Sequence, residues 1–131
     1  MKFDISLLRL AGSLASYSAQ RQSVLAENIA NSDTPGYRAK DLRPFGEMLE
    51  KSASEASHMR ATRPGHIGQT RGSAGAEPQE VTVFGAESPN GNTVSLEDQM
   101  VRSTEVKQNH DLALGVYRTS LDILRLGLGR R

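Results

Sequence analysis

The residues able to do chemistry in this chain are few and poorly grouped. Its three histidines are His58, His66 and His110. Glu55 stands three residues before His58, a spacing that shares a helix face, but one carboxylate–imidazole pair in a Ser- and Ala-rich stretch reads as solvated. His66 lies in Arg63-Pro64-Gly65-His66-Ile67, a turn with neither a nucleophile nor a carboxylate placed beside it. His110 precedes Asp111, and adjacent residues do not face each other on a helix. Glycoside hydrolysis requires two positioned carboxylates, whereas the acids here are scattered and many have a basic neighbour within four residues. Neither a P-loop nor a GxGxxG pattern is present to cradle a phosphate. The absence of cysteine removes disulfides, thiolate metal sites and cysteine nucleophiles. The expectation is therefore a non-enzyme with no catalytic residues, cofactor or metal.

Charge gives no other handle. The 131 residues carry 16 basic and 15 acidic side chains, a net charge of +1. The balance is local as well: residues 1–34 hold three of each sign and residues 35–94 seven of each, while residues 95–131 hold six basic and five acidic. No segment builds the field that nucleic acid or an anionic membrane would require. Hydrophobic residues make up 37% and aromatic residues 5%, with no Trp. So small and lean a chain struggles to bury a sufficient core, which points to stabilisation by neighbours.

The elements follow from punctuation and periodicity. All five prolines fall between Pro35 and Pro89. They divide the chain into helix-permissive ends, 1–34 and 95–131, and a broken middle, 35–94. At the C-terminal end Leu114, Tyr117, Leu121, Leu124 and Leu128 alternate three- and four-residue spacings, a heptad stripe. Extended backwards, the stripe selects Leu96, Met100, Ser103, Lys107 and His110, with Ser95 and Asp98 placed as a capping pair. A helix from about Ser95 to Leu128 is expected, roughly 50 Å long. At the N-terminal end Leu7, Leu10, Leu14, Tyr17 and Val24 form a similar stripe, interrupted by Arg21, with Leu25 and Ile29 beside it. The predicted helix runs from about Asp4 to Ala30.

The fold expected is mainly α: two long terminal helices packed as a coiled-coil pair around an irregular middle. That middle holds a short helix near Phe45, Met48 and Leu49 and a small β element at Val81-Thr82-Val83-Phe84. The interrupted Leu7–Leu10 start does not form a cleaved signal, and no apolar run approaches the roughly 18 residues of a membrane span.

The most specific stretch runs from Asn28 to Tyr37. It reads as a helix stop followed by a tight turn. Asn31 suits a left-handed helix end, and Asp33 and Thr34 can bond locally to the backbone. Thr34-Pro35-Gly36-Tyr37 suits a type II turn, with Pro second and Gly third, where φ is positive. Tyr37 is expected to pack back on the helix end or on a partner.

Leu25-Ala26-Glu27-Asn28-Ile29-Ala30-Asn31 followed by Thr34-Pro35-Gly36-Tyr37 resembles the N-terminal signature of flagellar rod and hook proteins. Arg38-Ala39-Lys40-Asp41-Leu42, the Arg63–Ile67 turn and Asn90-Gly91-Asn92-Thr93-Val94-Ser95-Leu96-Glu97 resemble the proximal-rod type within that family. The pattern from Asn109 through Tyr117 to Leu121 agrees. Residues 43–60 and 68–88 match nothing distinctive. The resemblance implies a structural subunit of the basal-body rod, polymerising with other rod proteins and copies of itself into a torque-transmitting tube. It further implies a place in the periplasmic rod near the inner-membrane ring and export gate, and export by the flagellar type III apparatus without a cleaved signal.

On this reading Asn28, Ile29, Asn31, Thr34, Pro35, Gly36 and Tyr37 form an assembly motif. The seam and interface comprise Leu7, Leu10, Leu14, Leu25, Ile29, Met100, His110, Leu114, Tyr117, Leu121, Leu124 and Leu128. Two alternatives remain beside it: another rod protein of the same family, or a free two-helix adaptor or export chaperone.

Overall fold

A computed structural model of the protein describes residues 2–55, 79–80 and 87–129. In chain order these form α1 (Lys2–Ala30), β1 (Lys40–Asp41), α2 (Phe45–Glu55), β2 (Gln79–Glu80) and α3 (Leu96–Gly127). The architecture is the mainly helical one expected, with α1 packed against α3. Since the C-terminal part of α1 meets the start of α3 through Asn28 and Gln99, the two helices run antiparallel. The β element is a two-residue antiparallel ladder, Lys40 opposite Glu80 and Asp41 opposite Gln79. The strand expected at Val81–Phe84 lies outside the described residues, as do His58 and His66.

The helix ends follow local chemistry. Ser95 is extended (φ −95, ψ 115) and its Oγ accepts from the Asp98 N–H at 3.4 Å, so it caps α3 as expected. Glu97 and Asp98 in the first turn and Arg125 in the last complement the helix dipole. At the far end the Leu128 N–H donates to Leu124 O, and Gly129 turns the chain away at φ +73.

The closest packing does not follow the leucine stripe. On α3 the buried residues are Gln99, Val106, Ala113 and Ser120, seven apart. On α1 they include Ala11, Ser18 and Leu25, again seven apart, flanked by Tyr17, Val24 and Asn28. The buried column of α3 thus lies one residue, about 100° of helix rotation, from the register of Met100, Leu114, Leu121 and Leu128. Met100 is 60% exposed and Leu128 79%; Leu7, Leu10 and Tyr117 also face outward. Leu14, Ile29, His110, Leu114, Leu121 and Leu124 are half-buried at the margins, and Leu25 is fully inside.

The most buried column of α3 therefore lies beside the leucine stripe rather than on it. Two physical facts explain the rotation. Ala11, Ser18, Ala113 and Ser120 are small enough to let helix backbones approach closely. Gln99 must face α1 to reach Asn28 and Arg102 must face β1 to reach Asp41, and that turns the leucine face partly away.

A second cluster fastens α2. Tyr17, Val24 and Leu42 form its buried centre, with Leu14, Phe45 and Met48 packed on it. The rings of Tyr17 and Phe45 lie 5.4 Å apart at a 48° tilt, a favourable aromatic geometry. The Tyr17 hydroxyl donates to Arg43 O at 2.7 Å, so the polar tip of this buried ring is satisfied. Among the described residues no helix is long and apolar enough to cross a membrane.

Candidate functional site

The expected motif residues converge where α1 ends. Asn28 is fully buried in the last turn of α1, and its side chain bonds on every side. Its Nδ2 donates to Lys40 O at 2.7 Å and to Gln99 Oε1 at 3.0 Å. Its Oδ1 accepts from the Lys40 N–H at 3.0 Å and the Tyr37 hydroxyl at 3.2 Å. The amide thus pairs with the backbone of residue 40 in both directions, as a strand neighbour would, and joins α1, β1 and α3 at one point. A buried amide is tolerable because each group has a partner.

The turn that follows has the form its residues dictate. The Tyr37 N–H donates to Thr34 O at 3.3 Å, and Gly36 sits at φ +71. That hydrogen bond and the positive φ at the third position belong to a type II turn. Tyr37 folds back so that its hydroxyl reaches Asn28, and the Lys40 ammonium stands 5.8 Å over its ring while also meeting Glu27 at 3.0 Å. Burial and the neighbouring Glu27 push the Tyr37 phenol above its ordinary value.

Asn31 departs from its expected conformation. Among the described residues no non-glycine has a positive φ, so Asn31 is not a left-handed cap. Its side chain instead donates to Glu27 O at 2.8 Å and its Oδ1 accepts from the Thr34 hydroxyl at 3.2 Å. The carbonyls just beyond the helix are also met from across the chain. Asn92, 1% exposed, directs its Nδ2 at Asn31 O, Ser32 O and Thr34 O, all within 2.9 Å. A side chain some sixty residues away thus ties down the segment that leaves the helix.

Asn92 is itself held by a second turn. The Gly91 N–H donates to Ser88 O at 2.8 Å, and Ser88 N–H to Asn92 O at 2.9 Å. The two turns abut. Gly36 N–H donates to Asn90 O at 3.0 Å, and a Cβ on Gly91, at φ +79, would stand 3.6 Å from Gly36 Cα. Thr93 completes the join: its N–H donates to Tyr37 O at 3.1 Å and its Oγ1 accepts from the Ala39 N–H at 2.9 Å.

Two turns of α1 further in lies an ion cluster absent from the expected site. The Asp41 carboxylate, 8% exposed, receives Arg21 Nε at 2.7 Å and Nη2 at 2.6 Å, Arg102 Nη1 at 3.1 Å and the Leu42 N–H at 2.8 Å. Asp98 Oδ2 lies 2.8 Å from Arg102 Nε but out of line for a hydrogen bond. Burial alone would raise the Asp41 carboxyl. The hydrogen bonds from Arg21 and Leu42 and the charges of Arg21 and Arg102 outweigh burial and hold it below its ordinary value. The Arg21 guanidinium is correspondingly raised, chiefly by its bond to Asp41.

The signal that could have revealed this cluster was Arg21 itself. A charge inside an apolar stripe needs a buried counter-charge, but nothing in the spacing identifies Asp41 or Arg102 as that partner. A groove of about 420 Å³ opens beside the cluster, lined by residues including Leu14, Tyr17, Arg21, Phe45, Val106 and Asn109. Its charged residues, Arg21 and Asp41, are bonded to each other. Among the described residues no group of three His, Asp or Glu converges as a metal site.

Comparison with known proteins places this geometry in context. Residues 8–38 match the family described as "Flagella basal body rod protein", a span that includes Arg21, Asn28 and the whole turn. The flagellar basal body rod protein FlgB of Agrobacterium fabrum is 35% identical over 111 residues, covering 82% of this chain and 81% of that protein. FlgB of Salmonella typhimurium is 30% identical over 120 residues, covering 87% and 86%. FlgB of Escherichia coli is 28% identical over 136 residues, covering 96% and 97%.

Proposed function

The chain belongs to the FlgB family of flagellar basal body rod proteins, and from that premise we propose that it is a non-catalytic subunit of the proximal, periplasmic rod. Its role is to polymerise with other rod proteins and with copies of itself. One observation carries this reading. A helix pair locked at one end by buried polar contacts carries outward apolar side chains along the rest of its length: Leu7, Leu10, Leu112, Ile123, Leu126 and Leu128. Such residues have little to do in an isolated rod-shaped pair, and water around them is released when neighbours cover them. Contacts of that kind repeated head-to-tail without closing generate a helical tube.

The turn has a matching part. Asn28, Asn31, Thr34, Pro35, Gly36 and Tyr37 set the direction in which the middle segment leaves the helix pair. Every subunit then presents that segment at the same angle to its neighbours, the inner-membrane ring and export gate among them. Export by the flagellar type III apparatus completes the proposal.

Replacement of Leu126 and Leu128 by Asp tests it. The expected result is a soluble chain with parental helix content that is missing from purified basal bodies and leaves cells non-motile. Normal incorporation would remove the outward leucines from the assembly surface. The free adaptor reading predicts instead that the purified chain alone forms a defined, fully helical dimer in sedimentation.

A further inference from the structure

The helix pair is held by two kinds of contact that differ in whether they repeat. The buried columns, Ala11, Ser18 and Leu25 on α1 and Gln99, Val106, Ala113 and Ser120 on α3, recur every seven residues. A slide of α3 by seven residues, about 10.5 Å, brings similar small or aliphatic residues together along the column, Gln99 excepted. Apolar packing of that kind tolerates exchange among residues of similar size, so it distinguishes poorly between the native register and a slipped one.

The polar contacts do not repeat. Gln99 meets Asn28, Arg102 meets Asp41, and Asn92 covers the end of α1. A seven-residue slide in one direction puts Val106 opposite Asn28 and Asn109 opposite Asp41. It takes Gln99 from the buried Asn28 amide, which keeps its bonds to Lys40 and Tyr37, removes one of the two cations from Asp41 and draws Asn92 off the helix end. A slide in the other direction carries Gln99 and Arg102 beyond their partners. Buried polar groups without partners are costly, and single buried polar residues are known to set register in paired helices.

We propose that Asn92, Gln99 and Arg102 are the register-determining residues of this helix pair, and that the leucines at its margins add affinity without choosing the alignment. The register in turn fixes where the outward apolar residues stand relative to the turn. A slipped subunit would present the same side chains displaced by about two helical turns.

The lack of cysteine makes alignment directly readable in the full chain. Ser18 and Asn109 line one groove, and one heptad further along both helices the equivalent pair is Ala11 and Val116. Ala11→Cys combined with Val116→Cys reports the native register under a short bis-maleimide crosslinker, which adds one thiol at each end. Ala11→Cys with Ile123→Cys, or with Asn109→Cys, reports the two slides.

The parent is expected to couple through position 116 alone. Asn92→Ala, Gln99→Leu and Arg102→Leu together should raise the slipped products at least about tenfold, the scale of one lost charge-assisted hydrogen bond. Leu114→Ala, Leu121→Ala and Leu124→Ala together should unfold at lower denaturant yet still couple only through position 116. The proposal is overturned if the polar variant keeps parental helicity and only the native product, or if the leucine variant slips. Should the polar triple lose its helical signal, Gln99→Leu with Arg102→Leu and Asn92 retained is read by the same two criteria.

Discussion

The turn end and the free end of the helix pair are built on opposite plans. At the turn end, Asn28, Asp41 and Asn92 are all buried; Asn28 and Asp41 each bond to two other elements, and Asn92 bonds to the segment that follows α1. At the free end, Leu7 and Leu10 on α1 and Ile123, Leu126 and Leu128 on α3 stand in the open. The polar end fixes its own alignment through directional bonds within one chain, although Leu96, Met100 and Val101 stand exposed there too. The apolar end is incomplete, because two helices cannot cover both faces of each other. A subunit made for a tube needs both: one region that fixes its own shape, and one that gains stability only from neighbours.

The contrast can be broken most severely at Asn28. Asn28→Leu leaves the Lys40 backbone, the Tyr37 hydroxyl and the Gln99 amide short of partners. It should cost the isolated chain about 4 kcal/mol, at roughly 1–3 kcal/mol per stranded buried group, measured by chemical denaturation. Asp41→Ala comes next. It leaves Arg21 and Arg102 without a counter-charge, but their side chains are 22% and 27% exposed and can turn to water. The expected loss is about 2–3 kcal/mol, below that of a fully buried pair.

The same carboxylate gives a pH test. Its folded pKa is depressed below the ordinary 3.8, so its contribution is complete above that value and drains away as the pH falls through the lower folded one. Asp41→Asn should therefore flatten the acid limb of the stability profile below about pH 4 relative to the parent. Parallel acid limbs in the two proteins would show that Asp41 is not linked to folding.

A smaller loss is expected at the turn. Pro35→Ala with Gly36→Val forces a β-branched residue to φ +71 and should cost about 1–3 kcal/mol, read as a lowered Tm with reduced incorporation into basal bodies. The smallest effect belongs to the free end. Leu128→Asp, at a position 79% exposed, should shift the isolated chain by no more than about 0.5 kcal/mol while still impairing rod incorporation. A large loss of monomer stability there would erase the distinction between the two ends.

Much of the fold was legible along the chain because it depends on neighbours in sequence. The confinement of Pro to the middle is read straight off the sequence, and the Ser95 cap and the Thr34–Tyr37 turn each follow from residues within four positions of one another. The helix faces were only partly legible. The leucine stripe of α3 is real, but hydrophobicity ranks faces by their transfer energy and is blind to the close approach that Ala113 and Ser120 permit. Arg21 looked like an interruption of a stripe when it is in fact one arm of a buried ion cluster. Asn31 looked like a left-handed cap, whereas the segment beyond it is tied down by Asn92, about sixty residues away, which the local run cannot anticipate.

The sequence by itself determined that there are two long helices, where they stop, which turn follows the first, and that the signature belongs to flagellar axial proteins. Only the tertiary structure decided which face of α3 meets α1, that Asp41 joins Arg21 to Arg102, and that Asn92 closes the end of α1. The division has a physical cause. Local conformation is set by sterics and hydrogen bonds within a few residues, which a pattern records directly. The pairing of buried polar groups depends on which distant atoms arrive within 3 Å of each other, and that distance exists only once the helices have met.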